Sequence, residues 1–144
     1  MFRFEKSILI RKTRHQVFAF LSNPSNDKLW RSDVVETTYR SLPLNVGDHI
    51  EETVDFNGLH KCVIEVIEII PDKSLILKAM SGTTYLPVRE FTLTEEGPNT
   101  KLTVEISAHS DGFSRLIEPI SSNMYSVKWD VYLFDLKKVL EDQP

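Results

Sequence analysis

The order of apolar patterns along the chain is the feature that most constrains its fold. Residues 2–10 alternate as one strand does, two short helical segments follow, six strand-like runs come next, and one long helical segment closes the chain. A twisted sheet buries its apolar face only if another element covers it, and the closing helix is almost the only element available. The pattern therefore predicts a sheet curved around one long helix, with space for a small molecule between them.

Two short helices are predicted between the first strand and the rest of the sheet. Thr13 and Gln16 form a capping-box pattern, in which both side chains satisfy free backbone donors at a helix start. Asn23 then suits the cap, and Pro24 the first position, of a second short helix that ends near Trp30.

Turn residues divide the middle of the chain into strands that follow one another closely. Residues 43–48 separate predicted strands over 33–42 and 48–56, and Asn57-Gly58 predicts a two-residue hairpin turn. Strands joined by such short connections pair antiparallel. The sequence thus predicts an antiparallel meander of about seven strands in a single α+β domain that comprises residues 1–144.

The closing helix is predicted to turn one polar stripe toward solvent and the opposite side toward the sheet. At about 3.6 residues per turn, the solvent stripe consists of Asn123, Ser126, Asp130, Lys137 and Glu141. The side toward the sheet consists of Met124, Tyr125, Lys128, Tyr132, Leu136 and Val139. Lys128 stands out on that side because it is the one charged residue among apolar and aromatic neighbours.

Period-two alternation also places charged residues among the inward-facing side chains of the strands. Glu52 shares a face of its strand with Ile50. Arg89 shares a face of another strand with Phe91. A lone buried charge is costly, so Glu52 is expected to pair with Arg89 or Lys128. The cation that is left over could then hold an acidic group of a ligand.

The predicted interior therefore has an apolar wall with a small set of polar and aromatic groups. The expected cavity residues are Trp30, Tyr39, Glu52, Phe56, Tyr85, Arg89, Phe91, Met124, Tyr125, Lys128 and Tyr132. A purely structural interpretation stays open for each of them. Glu52 and Arg89 could form a structural ion pair, the Lys128 ammonium could reach solvent, and the tyrosines could belong to the core with bonded hydroxyls.

Composition and motifs argue against several classes of function. The net charge is −4 and the basic residues are scattered, so no nucleic-acid-binding surface is expected. No apolar run approaches the roughly 20 residues that a membrane-spanning helix needs, so no membrane insertion is expected. Cys62 is the single cysteine, and with His60 it lacks the further ligands of a zinc site, so neither a metal nor a cofactor is expected. A cytoplasmic location is the expectation for such a chain.

Several segments resemble the START-like superfamily with the helix-grip fold, in particular its polyketide cyclase/dehydrase and lipid-transport branch. The resemblance rests on residues 4–10 (FEKSILI), 17–24 (VFAFLSNP), 29–30, 46–48 (VGD), the turn at 57–58 and residues 135–141 (DLKKVLE). It implies a deep cavity between a curved sheet and the C-terminal helix that takes hydrophobic or polycyclic molecules. Members include cyclases, lipid and hormone binders and co-chaperone domains, and no catalytic motif of the cyclases matches residues of this chain.

The predicted function is the binding of a small hydrophobic or amphipathic molecule in this cavity. One alternative is a polyketide cyclase or dehydratase that acts in the same cavity, with a general acid or base drawn from Glu52, Tyr39 or Tyr85. Another alternative is a co-chaperone-like module that binds a protein through its surface. The sequence leaves open the ligand, whether a reaction is catalysed, and the oligomeric state.

Overall fold

Seven strands form one antiparallel sheet in the computed structural model, which describes residues 2–83, 85–108 and 114–144 and only the backbone of residues 114–122. The strands are β1 (Phe2–Ile10), β2 (Val34–Tyr39), β3 (His49–Asp55), β4 (Leu59–Ile70), β5 (Ser74–Ser81), β6 (Val88–Glu96) and β7 (Asn99–Ala108). Their order in the sheet is β1-β7-β6-β5-β4-β3-β2. The meander is therefore confirmed, with β1 added beside β7 at one edge.

The two short helices that were predicted after β1 are present. Helix α1 (Arg14–Leu21) begins with the capping box, since the Thr13 hydroxyl accepts a hydrogen bond from the Gln16 N–H and the Gln16 side chain accepts one from the Thr13 N–H. A short 3-10 helix (Pro24–Asn26) then leads into α2 (Asp27–Trp30). The second helix thus ends at Trp30 as predicted, although its first turn is 3-10 rather than α-helical.

The long helix α3 (Ser114–Glu141) packs mainly on β1 and on α2. Its buried residues meet the inward face of the sheet in one apolar core, in which Leu136 and Val104 are completely buried. The backbone of α3 therefore lies closest to the β1 edge of the sheet. Strands β3 to β5 are left without a helix packed closely on them, and this asymmetry makes room for the cavity described below.

The solvent stripe predicted for α3 is only partly correct. Lys137 donates a hydrogen bond to the Leu9 carbonyl over 2.5 Å, and Glu141 accepts one from the Arg11 N–H over 2.8 Å. These polar residues turn toward the end of β1 because its backbone groups and the Arg11 guanidinium offer them partners. The large apolar residues exposed on α3 are instead Met124, Val127, Val131 and Phe134.

Leu136→Ala tests the contribution of the α3 core contact to stability. We expect the free energy of unfolding to fall by about 2–5 kcal/mol, because the change removes buried methyl groups and leaves a cavity. Phe134→Ala is the matched control two residues away, since 64% of the Phe134 surface is exposed. The control should change stability by less than about 0.5 kcal/mol in urea denaturation. Equal effects of the two changes would contradict the orientation of α3.

Candidate functional site

A cavity of about 720 Å³ lies between the inward face of the sheet and α3. The mouth of the cavity is defined by its exposed lining residues Phe56, His60 and Met124. The full lining consists of Arg31, Asp33, Glu52, Val54, Phe56, His60, Cys62, Ile64, Ala79, Gly82, Thr83, Tyr85, Pro87, Arg89, Ile106, Met124, Tyr125, Lys128, Trp129 and Tyr132. The wall is thus mainly apolar and carries a few charged groups.

Most of the residues predicted for the cavity do line it. These are Glu52, Phe56, Tyr85, Arg89, Met124, Tyr125, Lys128 and Tyr132. Strand alternation placed Glu52 and Arg89 correctly, because both lie in regular parts of β3 and β6. Helical spacing placed Lys128 and Tyr132 correctly. Whether these residues bind a ligand stays a prediction.

Three of the predicted residues lie outside the cavity wall. Trp30 and Phe91 pack against each other in the core, with ring centroids 6.4 Å apart, and Trp30 also contacts Trp129. Their aromatic rings fill the space at the α2 end of the sheet. Tyr39 lies on the edge strand β2, and its hydroxyl donates a hydrogen bond to Asn23 over 3.1 Å. The Tyr39 ring therefore holds the turn before α2 and does not reach the cavity.

Glu52 is the centre of a buried ion-pair network on the cavity wall. It is 2% exposed and accepts two hydrogen bonds from the Arg31 guanidinium, at 2.6 Å and 3.1 Å. Arg89 donates a third hydrogen bond to Glu52, over a longer 3.5 Å. Asp27 also lies near Arg31, with 3.8 Å between Asp27 Oδ2 and Arg31 Nη1. Two guanidinium groups and two carboxyl groups are thus buried together.

The prediction that Glu52 pairs with Arg89 or Lys128 is confirmed for Arg89, but the main partner was missed. Arg89 does contact it, but Lys128 does not, and the main partner is Arg31, which was not among the predicted site residues. Arg31 follows α2 directly, in a connection where no period assigns a direction to the side chain. Its spacing from Asp27 is also that of an ordinary exposed helical pair. The sequence offered no further signal that Arg31 is buried.

The network shifts the pKa values of its members in opposite directions. Burial alone would raise the pKa of Glu52, but the charges of Arg31 and Arg89 outweigh it and hold the pKa at about 2. Burial raises the pKa of Asp27 to about 7, because the nearby Arg31 compensates it only in part. Burial and the like charge of Arg31 lower the pKa of Arg89. Glu52 is accordingly ionised at neutral pH, whereas Asp27 is partly protonated.

A second charged group lies between α3 and the start of β2. Lys128 donates a hydrogen bond to one Asp33 oxygen over 2.7 Å, and the Tyr132 hydroxyl donates to the other over 2.5 Å. These two hydrogen bonds outweigh the effect of burial and lower the pKa of Asp33. The Lys128 ammonium also lies 5.1 Å from the centre of the Phe56 ring, near the mouth. Asp33, like Arg31, lies in the connection between α2 and β2. The sequence analysis missed it because no periodic pattern predicts side-chain direction there.

Two tyrosines form an aromatic wall at one end of the cavity. Tyr85 packs edge-on against Phe2, with ring centroids 5.4 Å apart, and Tyr125 lies 5.7 Å from the same ring. Burial raises the pKa of Tyr125. This aromatic group adds a flat apolar surface that could pack against a ligand.

The described residues contain neither a metal site nor a membrane span. Within residues 2–83, 85–108 and 123–144, whose side chains are described, no group of His, Cys, Asp and Glu side chains is arranged to hold a metal ion. None of the helices in that part of the chain combines the length and apolar character required to cross a bilayer. Cys62 lines the cavity with its thiol 3.4 Å from the Gly82 carbonyl, and burial raises the pKa of that thiol.

Solved structures share this fold, whereas no protein-family model and no curated protein matches the sequence. Protein MLL2253 from Mesorhizobium loti has a TM-score of 0.78 at 18% identity, over 99% of both chains. The Aha1 dimer from Colwellia psychrerythraea has a TM-score of 0.72 at 20% identity, over 99% of this chain and 98% of that chain. DynU16, from the dynemicin biosynthetic locus, has a TM-score of 0.73 at 21% identity, over 97% of this chain and 47% of DynU16.

These similarities confirm the fold that the sequence resemblance implied. The chain has the helix-grip fold, with a curved seven-stranded antiparallel sheet and a long C-terminal helix. Sequence identities of 18–21% support a shared fold, but they do not transfer the activity of any neighbour to this chain. The function must therefore be argued from the cavity of this chain.

Asp27→Asn tests the buried network through the pH dependence of stability. The pKa of Asp27 is about 7 in the folded protein against an ordinary value of 3.8, so the folded state binds the extra proton between these pH values. The unfolding free energy should consequently fall as the pH rises from about 4 to about 7, by up to about 4 kcal/mol from this group. Urea denaturation at pH 5 and pH 8 measures this loss of unfolding free energy. In Asp27→Asn, the part of the difference between the two pH values that comes from Asp27 should disappear.

Asp142→Asn is the control for this experiment, because Asp142 is exposed and distant from the network. It should leave the difference between the two pH values as it is in the unmodified protein. If Asp27→Asn also left that difference unchanged, the carboxyl group of Asp27 would not be held protonated by its surroundings.

Proposed function

We propose that this protein binds a small hydrophobic or amphipathic molecule in the cavity between the sheet and α3. The observation that supports the proposal is an unfilled space of about 720 Å³ with a mainly apolar wall and an open mouth. Protein interiors are normally packed to the density of organic crystals, so side chains usually fill the space between a sheet and the helix that covers it. Retention of such a space is typical of a binding site.

The cavity wall provides aliphatic and aromatic surface against which an apolar ligand can pack. Val54, Ile64 and Ala79 supply aliphatic surface from the neighbouring strands β3, β4 and β5. Ile106 of β7 adds to this surface, and Trp129 supplies a ring from α3. Burial contributes about 0.8 kcal/mol for each methylene group, so a ten-carbon chain gains about 8 kcal/mol before the cost of association. Micromolar affinity requires about 8 kcal/mol of net binding free energy, so apolar burial supplies the main favourable contribution and polar contacts must add to it once the cost of association is subtracted.

A cyclase or dehydratase acting in the same cavity is the alternative function, and DynU16 comes from a biosynthetic locus. The geometry supports it less well than binding. Both Glu52 oxygens accept hydrogen bonds from guanidinium groups, and the pKa of about 2 makes Glu52 a weak base at neutral pH. A general acid or base at Glu52 would first have to lose its ion pair with Arg31.

A co-chaperone-like interaction module is the other alternative, and the Aha1 neighbour is a dimer. Surface binding of that kind does not require a cavity. The unfilled interior therefore favours small-molecule binding over a role that uses the surface alone.

A cavity-filling variant tests the proposed function. Ala79 lines the cavity on β5, and Met80 is its neighbour on the opposite, solvent-facing side of the same strand. Ala79→Phe should reduce the affinity for the neutral dye Nile red by at least about tenfold, because the ring occupies apolar space that the dye needs. Met80→Phe is the matched control and should bind the dye as the unmodified protein does.

The measurement is a fluorescence titration of each protein, with circular dichroism to verify that all of them are folded. Displacement of the dye by 1-decanol should follow the same pattern. The proposed function would be wrong if the unmodified protein bound neither compound, or if Ala79→Phe bound both with unchanged affinity.

A further inference from the structure

Arg89 is the cation of the cavity wall that the described residues compensate least. Arg31 makes a two-point ion pair with Glu52, and Lys128 donates to Asp33 over 2.7 Å. Among the side chains that the structure describes, in residues 2–83, 85–108 and 123–144, the guanidinium of Arg89 makes a single hydrogen bond, over 3.5 Å to Glu52 Oε1. That oxygen already accepts a shorter bond from Arg31.

The number of charged groups on the cavity wall also identifies Arg89 as the uncompensated cation. The described lining residues include three permanent cations, Arg31, Arg89 and Lys128, but two carboxylates, Asp33 and Glu52. Asp27 does not line the cavity, and its carboxyl group lies beside Arg31. While Asp27 holds its proton, the wall and the buried network behind it have one positive charge in excess, and the pairing distances assign that excess to Arg89.

The position of Arg89 makes this excess charge costly without a ligand. Arg89 is 6% exposed. In the sheet it pairs with Leu77 of β5 on one side and with Ile106 of β7 on the other. A guanidinium in such apolar surroundings is stabilised by a partner that accepts two parallel hydrogen bonds. The lowered pKa of Arg89 reflects the same lack of compensation.

We propose that the cavity selects amphipathic acids, with the ligand carboxylate hydrogen-bonded to Arg89 and the apolar body extended toward Phe56 and Met124 at the mouth. This inference rests on the proposed function, because it names the chemical class of the ligand bound there. A carboxylate supplies the negative charge that the wall lacks and the two acceptors that a guanidinium fork matches. The buried location strengthens the pairing because little water competes for it.

Decanoate and 1-decanol are the probes that test this inference, since they share an apolar chain and differ in the charged head. Decanol leaves water more readily than the ionised acid, so a cavity without an anion partner should prefer the alcohol. We expect isothermal titration at pH 6, where Asp27 with its pKa of about 7 is mostly protonated, to show decanoate binding at least about tenfold more tightly than decanol, because hydrogen bonds to charged groups are the stronger class.

Arg89→Met removes the charge while keeping a long apolar side chain. It should weaken decanoate binding by at least about tenfold and leave decanol binding within about twofold. Lys78→Met is the matched control, because it removes an exposed cation on the solvent-facing side of β5, outside the cavity lining. It should change decanoate binding by less than about threefold.

Arg89→Lys provides a second variant that keeps the charge and loses the fork, should Arg89→Met not unfold cooperatively. It should still weaken decanoate binding by about threefold or more. Equal affinity of the unmodified protein for the acid and the alcohol would overturn the inference while leaving the proposed function in place. Unchanged decanoate binding in a folded Arg89 variant would overturn it as well. Failure of the unmodified protein to bind either compound would instead contradict the proposed function.

Discussion

The ion pair between Arg31 and Glu52 is the interaction on which the site depends. It joins the end of α2 to the middle of β3 across the interior, and it makes a buried carboxylate tolerable on an apolar wall. Removal of one partner of such a pair typically costs about 3–5 kcal/mol, because the other charge is then buried alone. The same pairing keeps Glu52 ionised and occupied, so the polar part of the cavity is suited to holding a charged group more than to transferring a proton.

The position of α3 toward one edge of the sheet leaves the space that forms the cavity. A helix centred on the sheet would fill the interior with its own side chains. Here α3 packs toward β1 and α2, and the Trp30 and Trp129 rings close the space at that end. The remaining apolar surface of β3 to β5 stays uncovered and becomes the cavity wall. Neighbours with 18–21% identity share this frame, but their side chains are mostly different, so our proposal for the ligand class rests on residues of this chain such as Arg89.

The sequence was most informative where a regular period applied. Alternation in β3 and β6 identified Glu52 and Arg89 as inward-facing, and turn residues predicted the meander. Arg31 and Asp33 were missed because they lie between α2 and β2, where side-chain direction depends on tertiary contacts alone. The stripe on α3 was misplaced for a related reason, since helical spacing defines relative angles and not the side that meets β1. Tyr39 was misassigned because an edge strand can turn its residues toward neighbouring loops.

The pairing of the first strand with the last has a consequence for how the chain reaches its native state. Phe2 pairs with Ala108, and the Arg11 N–H donates a hydrogen bond to Glu141. Segments that are far apart in the sequence therefore contact each other directly in the folded protein. Contacts between segments so distant in sequence form slowly, because a long loop must close first. During synthesis on the ribosome, β1 therefore remains an unpaired edge until β7 and α3 emerge, and the interior cannot close before then.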